Sequence, residues 1–401
     1  MKKLVLVFLL LTSLFYGCSK DPQELKQNSA SENFCQCYPW VTSGLSFDAK
    51  DAERNRLGIE TLVSSGDFLF ARNDRQLNGE RNYQLFFGKA GSLLWKELQL
   101  PDDDIPGSLF ADSTGLYVGT FRSRFGGRLW HFDPQKEIWN LIPIPVVDKA
   151  FPVTDSSYGV DGIARFNGLL VLSFSHSVVW DRESDLDSVY NPVYFQQKGG
   201  SWRNYNRGFP AAESFLRAKE WNGSLYALTY GNSIYRFDVN DSIWHKIREP
   251  SLVCSNGIWN ERSSLSRDVL PYKGELFIGF GNLEGMFSLS PQGLWSQKTR
   301  CSLKFESADE DSSYSLQTTN PPSVYKFVQK GEDLIALGEA SAVYSGANDR
   351  WVSLPPIPGV REIFDGALVR DTLYVAAYQK GVLKMPVSFI DSLLQKTIEV
   401  K

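Results

Sequence analysis

The stretch SLYALTYGNSIYRFDVNDSIW, residues 224–244, contains the pattern that decides the fold. Around Leu225 the residues alternate as in a strand whose two faces both pack on neighbours. A polar turn then leads to a second short apolar strand. A tight turn after it places Trp244 at the start of the third strand of this stretch. The spacing predicts successive antiparallel strands joined by short connections.

The same pattern recurs along the chain, so the fold is expected to be built from repeats. The apolar anchors that correspond to Leu225 are Phe68, Leu116, Leu169, Leu276, Leu334 and Leu373. Successive anchors are 48, 53, 56, 51, 58 and 39 residues apart, which is typical of the blades of a β-propeller. The sequence therefore predicts an all-β protein, a β-propeller with one blade for each anchor.

The tryptophans complete this prediction of the blade count. Each anchor is followed by a tryptophan that opens the fourth strand, except Leu373, which has none after it. Trp40, near the N-terminus, has no anchor before it. Because a ring must join its first and last blades, we expect seven four-stranded blades, with an N-terminal strand at residues 37–41 closing the last blade near Val382 and Leu383.

Two segments, LWHFDPQKEIW (129–139) and IYRFDVNDSIW (234–244), resemble the end of a kelch repeat, where an aromatic–Asp pair leads through a tight turn to tryptophan. The resemblance covers most of the chain at the level of blades and implies a kelch-like or galactose-oxidase-like architecture. The Gly–Gly pair of kelch repeats is absent from every blade, so no activity is carried over. We interpret the repeated tryptophans as filling the wedges between neighbouring blades.

The first seventeen residues have the layout of a signal peptide, with two lysines followed by a short apolar run. The segment LFYGC (14–18) resembles a bacterial lipobox, which implies cleavage before Cys18 and acylation of its thiol, for example with palmitate. We predict a signal peptide at 1–17, a lipid-anchored linker at 18–34, the propeller at 35–387, and a C-terminal tail at 388–401 that contains a short helix. The expected location is the cell envelope, at the outer membrane.

The remaining composition narrows the choice of partners. The chain has 42 basic and 46 acidic residues, a net charge of -4, with no basic stripe, so nucleic acid is not an expected partner. Cys35, Cys37, Cys254 and Cys301 allow three disulfide connectivities. We predict a Cys254–Cys301 bond between loops of adjacent blades, while the pairing of the other two stays open. The sequence predicts no metal and no cofactor.

The default site of a propeller is the face that carries the connections from second to third strands and from fourth strands to the next blade. Two second-to-third connections on this face are long, and long loops are usually functional. Their basic, aromatic and acidic residues predict a shared pocket for an anionic or sugar-like ligand. These candidate ligand-binding residues are Arg122, Arg124, His176, Trp180, Asp181 and Arg182.

Two functions follow from this reading of the sequence. The leading hypothesis is a non-catalytic, membrane-tethered binding or assembly module for a glycan, a peptide or a protein, without assigned catalytic residues. The alternative is an enzyme that acts on extracellular polysaccharide through carboxylates of the same face. The acid–base candidates of that alternative are Asp155, Asp161, Asp181 and Glu183.

Overall fold

The computed structural model describes residues 39–47, 58–77, 80–121, 127–145, 157–177, 191–211, 213–231, 233–247, 266–281, 285–298, 323–348, 350–360, 362–377 and 379–396. Within these ranges the strands form seven antiparallel four-stranded sheets. Consecutive first strands contact one another, and the first strand of the last sheet contacts that of the first. The protein is a seven-bladed β-propeller, which confirms the predicted fold class.

The blades are numbered in chain order. Blade 1 contains β2 (Gly58–Ser65), β3 (Phe68–Leu77), β4 (Glu80–Lys89) and β5 (Trp95–Leu98), followed by a 3₁₀ turn at Pro101–Asp103. Blade 2 contains β6 (Ile105–Asp112), β7 (Gly115–Phe121), β8 (Leu129–Asp133) and β9 (Ile138–Ile142). Blade 3 contains β10 (Ser157–Phe166), β11 (Leu169–Ser177), β12 (Val193–Gln196) and β13 (Trp202–Asn204).

Blade 4 contains β14 (Phe215–Trp221), β15 (Ser224–Thr229), β16 (Ile234–Asp238) and β17 (Ile243–Ile247). Blade 5 contains β18 (Ser266–Tyr272), β19 (Glu275–Phe280), β20 (Gly285–Leu289) and β21 (Trp295–Gln297). Blade 6 contains β22 (Val324–Lys330), β23 (Asp333–Gly338), β24 (Ala342–Ser345) and β25 (Arg350–Ser353). Blade 7 contains β26 (Ile363–Val369), β27 (Thr372–Ala377), β28 (Gly381–Pro386) and, as its outer strand, β1 (Val41–Thr42).

The N-terminal strand closes the ring as expected, but it covers Val41–Thr42 rather than residues 37–41, of which 39 and 40 are described and precede the strand. Val41 pairs with Lys384, and Thr42 pairs with Leu383. Trp40 is buried, and its Nε1 donates a hydrogen bond of 2.8 Å to the carbonyl oxygen of Pro355 in blade 6. The first and last parts of the described chain are therefore joined within one blade.

Tryptophans of the outer strands connect five of the blades to the blade before each of them. In five blades the indole Nε1 donates to a backbone carbonyl just after the outer strand of the preceding blade. These pairs are Trp40 with Pro355, Trp95 with Ser43, Trp202 with Pro143, Trp244 with Tyr205, and Trp351 with Lys298, at 2.8 to 3.3 Å. The indoles are bound between blades, which favours a structural role over sugar stacking.

The hairpins also show where the anchor residues lie. In blade 4 Phe237 pairs directly with Trp244, as their spacing predicts. In blades 1 and 3 the residue equivalent to Leu225 is Leu69 or Leu170, one position after the anchors chosen from the sequence. Both are buried, because this position packs into the interior between sheets.

The described part of the chain ends in a helix, α1 (Val387–Lys396). Its residues Ile390 and Leu394 are buried against blades 6 and 7. The short helix predicted for the tail is present, and it begins at Val387, one residue before the predicted start of the tail. Asp391 lies 2.6 Å from Lys330 Nζ in blade 6. No helix in the described ranges has the length and apolar character needed to cross a bilayer.

Candidate functional site

Every inner strand contains a β-bulge at the same place. In each first strand one residue has no partner on the second strand, and the register shifts there. The bulged residues are Glu60, Gly107, Asp161, Leu216, Arg267, Tyr325 and Phe364. A bulge re-aims a side chain and is often found next to functional sites. We call these seven residues the bulge ring.

The position of the bulge ring within the strands identifies the face to which it belongs. Each bulge lies near the start of the first strand and opposite the end of the second strand. It therefore borders the face formed by second-to-third connections and by connections to the next blade. This is the face on which the sequence predicted the site. The seven first strands surround a central channel along the axis of the propeller. We call the end of this channel that opens on that face the axial mouth.

One side of the axial mouth combines a cation with aromatic rings. The guanidinium of Arg267 lies over the ring of Tyr325, 5.6 Å from its centroid. The same ring stacks on Phe364, with centroids 5.6 Å apart and an interplanar angle of 19°. Burial, together with the charges of Glu362 and Glu339, raises the pKa of Tyr325 to about 12, so this phenol stays protonated at neutral pH. Three consecutive blades thus form one arginine–aromatic platform.

The other side is acidic. Ser214 Oγ donates a hydrogen bond of 2.5 Å to the Asp161 carboxylate. Burial raises the pKa of Asp161 above its ordinary value, while the hydrogen bond from Ser214 and the positive charge of Arg72 act in the opposite direction. Burial and the charge of Asp161 also raise the pKa of Tyr230. Asp161 is thus a carboxyl group with a perturbed pKa in a cleft, which is a common property of functional residues.

Arg72, whose positive charge acts on Asp161 of blade 3, lies on β3 of blade 1 and contacts other residues of that blade. Its guanidinium lies 5.3 Å from the centroid of the Tyr83 ring, and Nη2 is 3.6 Å from the Glu60 carboxylate. Tyr83 also lines a groove of about 340 Å³ between blades 1 and 2, together with Leu98 and Pro106. The groove therefore lies beside the axial mouth.

An ion pair crosses the channel below the bulge ring. Arg217 Nη2 in blade 4 lies 3.0 Å from the Asp365 carboxylate in blade 7, and Lys326 Nζ in blade 6 lies 3.1 Å from it. Gly366 N donates a third hydrogen bond of 2.8 Å to Asp365, which is fully buried. Blades 4 and 7 are as far apart as two blades of a seven-membered ring can be. The pair therefore spans the axis and forms a floor under the mouth.

Three arginines at this end of the channel have unused hydrogen-bonding capacity. The Nε atoms of Arg72, Arg217 and Arg267 are buried and have no acceptor in the described part of the chain. An unpaired buried donor costs about 1–3 kcal/mol. The mouth thus offers guanidinium groups whose hydrogen bonds are incomplete.

The residues that the sequence reasoning proposed for the site lie mostly outside the described ranges. These are Arg122, Arg124, Trp180, Asp181 and Arg182, together with Cys18, Cys254 and Cys301, and their roles stay predictions. The backbone of His176 is described and pairs with Tyr158. The strands β7 and β11, which lead into the two long connections, end on the side of the axial mouth. Of the four acid–base candidates, Asp161 is described and belongs to the bulge ring.

Sequence reasoning missed most of the site, including Arg217, Arg267 and Asp365. A signal was nevertheless present, because each bulged residue stands nine positions before the buried leucine of the second strand, as Arg267 stands before Leu276.

Within the described ranges no three His, Cys, Asp or Glu side chains are grouped so that they could hold a metal ion.

No protein family and no curated protein sequence matches the chain. Solved structures do match it. A catalytically inactive virginiamycin B lyase from Staphylococcus aureus, determined with quinupristin, is 13% identical, with a TM-score of 0.53 over 85% of this chain and 97% of that one. YCF48 bound to the D1 peptide is 11% identical, with a TM-score of 0.50 over 87% of this chain and 97% of that one. The likeness is one of fold.

Proposed function

We propose that this protein is an exported, membrane-tethered propeller that binds a peptide, protein or glycan partner at its axial mouth. The observation that carries the proposal is the Arg267–Tyr325–Phe364 platform above the floor formed by Arg217 and Asp365. The Arg217–Asp365 pair crosses the channel below this platform. A partner can therefore insert a side chain or a sugar ring and meet both aromatic surface and hydrogen-bond donors.

The chemistry of the platform suits binding. Tyrosine and arginine are enriched among the residues that dominate binding energy, because they combine a large apolar area with directional hydrogen bonds. The positive guanidinium groups of Arg72 and Arg267 favour a partner that presents oxygen acceptors. The likeness in fold to YCF48, solved with a peptide, is in keeping with a peptide partner. The kelch-like hairpins concern how the blades are built and add no activity.

The predicted tether fits this arrangement. As a fourth strand, β1 runs from the side of the third-to-fourth turns toward the axial mouth. The chain therefore enters the propeller from the face opposite the mouth. If Cys18 is acylated, that opposite face is nearer to the membrane, and the mouth points away from it. Exposed apolar residues at the tips of hairpins on the opposite face are suited to lie against lipid: Leu93, Leu94, Val239 and Leu294.

The proposal predicts that a change in the platform abolishes binding while an equivalent change elsewhere does not. Arg267→Glu reverses the charge over Tyr325, and Arg203→Glu makes the same change over Tyr205 on an outer strand, where the cation lies 5.0 Å from the ring centroid. The mature protein and both variants would be applied to peptide and glycan arrays. For the peptides or glycans that the unmodified protein binds, we expect the affinity to fall at least about tenfold with Arg267→Glu, since a hot-spot arginine contributes about 2 kcal/mol. Arg203→Glu should leave this affinity unchanged. Equal binding by all three proteins would contradict the proposal.

A second candidate function is acid–base catalysis on a polysaccharide, and Asp161 favours it. Its raised pKa and its bond to Ser214 suit a carboxyl group that donates a proton. In this case Asp161→Asn keeps ligand binding and removes turnover of any glycan that the arrays identify. Binding without turnover in the unmodified protein supports the binding module instead.

A further inference from the structure

The outer strand of blade 2 has an apolar edge at the rim of the propeller. β9 (Ile138–Ile142) is the last strand of its sheet, so its outer side has no neighbouring strand in the described ranges. The side chains of Ile138 and Leu141 are 50% and 52% exposed. An exposed apolar edge of this kind is a template for pairing with another chain.

The other outer strands are protected in ways that β9 is not. β5, β13, β17 and β25 each contain a basic residue, in chain order Lys96, Arg203, Lys246 and Arg350. Charged side chains, lysine above all, hinder pairing at an edge. β1 and β21 contain no charge but have only two and three residues. β9 has five residues and none of them is charged, so it is the outer strand best suited to edge pairing.

The register shows which backbone groups of β9 point outward. In blade 4 the N–H of Trp244, which pairs with Phe237, donates away from its sheet to the carbonyl oxygen of Arg207. Trp139 pairs with Phe132 in the same way, so its backbone N–H and C=O also point outward. Because the direction alternates along a strand, the backbone groups of the second residue after Trp139 point outward as well. That residue is Leu141.

We propose that two copies of this protein pair through β9, antiparallel and about a two-fold axis at Asn140. In this register Trp139 of one copy and Leu141 of the second copy exchange two backbone hydrogen bonds, and the symmetry repeats the exchange. Ile138 then lies opposite Ile142 of the second copy. The strand reads Ile-Trp-Asn-Leu-Ile, with apolar residues at equal distances on both sides of Asn140. This pattern favours a second copy over an unrelated peptide, because a two-fold interface must be complementary to itself.

The twist of the blade lets both copies face the same way. Neighbouring strands are rotated by about 20–25°, so a fourth strand is turned by about 60–75° from the first strand, which lines the channel. β9 therefore runs mostly around the rim, and a two-fold axis perpendicular to its sheet lies close to the direction of the channel. Both mouths then open on the same side. The pairing uses neither the axial mouth nor the tether, so it does not depend on the proposed function.

Cysteine substitutions test the register. In the proposed dimer the two copies of residue 140 are directly opposite each other, with Cα atoms about 4.5 Å apart, and a disulfide can bridge this distance. The two copies of residue 138 are about 14 Å apart along the strands. Under mild oxidation, the mature protein with Asn140→Cys should therefore give a covalent dimer on a non-reducing gel. Ile138→Cys, at an exposed position of the same strand, is the matched control and should give no more dimer than the unmodified protein.

Analytical ultracentrifugation measures the pairing without a crosslink. The mature protein would carry Cys18→Ala in every sample, so that no lipid is attached, and we expect an equilibrium between monomer and dimer. Leu141→Lys should raise the dissociation constant at least about tenfold, because it places a lysine in the edge of both copies. Val239→Lys, at a hairpin tip with 51% exposure, is the matched control and should leave the constant unchanged.

Leu141→Pro removes an outward-facing N–H and leaves the bonds between β8 and β9 in place, since proline is tolerated at the outer side of an edge strand. It should weaken the dimer as Leu141→Lys does and gives the answer if the lysine variant does not fold. The proposal is wrong if the unmodified strand leaves the protein monomeric at every concentration, if the dimer forms equally well with both substitutions of Leu141, or if Ile138→Cys crosslinks as readily as Asn140→Cys.

Discussion

Replacing Asp365 with asparagine removes the charge at the centre of the floor and leaves the shape of the side chain nearly unchanged. Asp365 is the shared partner of Arg217 at 3.0 Å and Lys326 at 3.1 Å. After the substitution both cations remain in the channel and lose the carboxylate that they share. The perturbation therefore tests the electrostatic role of the floor without creating a cavity.

The expected magnitude follows from the burial of these groups. Asp365 has no exposed side-chain surface, and the side chains of Arg217 and Lys326 are 25% and 19% exposed. Removing one partner of such a buried pair costs about 3–5 kcal/mol, because an uncompensated charge is left behind. The pair between Lys96 and Glu137, with side chains 63% and 49% exposed, is the matched control. Glu137→Gln should cost about 0–1 kcal/mol.

Urea unfolding followed by tryptophan fluorescence measures both changes, since the chain contains 11 tryptophans. The midpoint should fall far more for Asp365→Asn than for Glu137→Gln, with a similar slope. Adding Arg217→Met to Asp365→Asn should restore part of the lost stability, because one unpaired cation is removed. Equal losses for Asp365→Asn and the control, or no recovery in the double variant, would refute the reasoning.

Three further outcomes are expected. Trp40→Phe removes the hydrogen bond from Nε1 to Pro355 and should lower the free energy of unfolding by about 1–3 kcal/mol. Trp139→Phe, where the indole packs on Phe132 at 4.9 Å and Nε1 has no partner in the described ranges, should cost less in the same urea titration. Because burial raises the pKa of Asp161, its protonated form favours folding at low pH, and this contribution is lost as the pH rises through the folded-state pKa. Asp161→Asn should therefore gain stability relative to the unmodified protein as the pH rises toward neutral, which pH-dependent melting measures. Cys18→Ala should release the protein from membranes in a fractionation experiment, and an unmodified, soluble wild-type chain would contradict the lipid anchor.

The fold could be predicted because its signal repeats. Seven apolar anchors and seven tryptophans determine the number of blades, and the unmatched pair, Leu373 and Trp40, indicates how the ring closes. Small errors of one residue at Phe68 and Leu169 did not change the topology, because a blade tolerates a shift in where its second strand begins.

The site was harder to predict because its residues do not repeat. Across the bulge ring the position that is Arg267 in one blade is Gly107 in another, so no motif appears along the chain. The Arg217–Asp365 contact joins residues 148 positions apart, and only the closed ring brings them together. Sequence reasoning favoured long loops because their composition is conspicuous, whereas the described site is built from single residues of inner strands.

Photo-crosslinking from within the axial mouth tests the central proposal most directly. A photoreactive phenylalanine analogue would be placed at Phe364 in the bulge ring or at Leu294 on the opposite face, and the mature protein would be irradiated in intact cells. We expect a defined adduct from position 364 that disappears when Arg267→Glu is added, and none of this adduct from position 294. The same adduct from both positions, or an adduct at 364 that persists with Arg267→Glu, would show that the axial mouth is not the binding site.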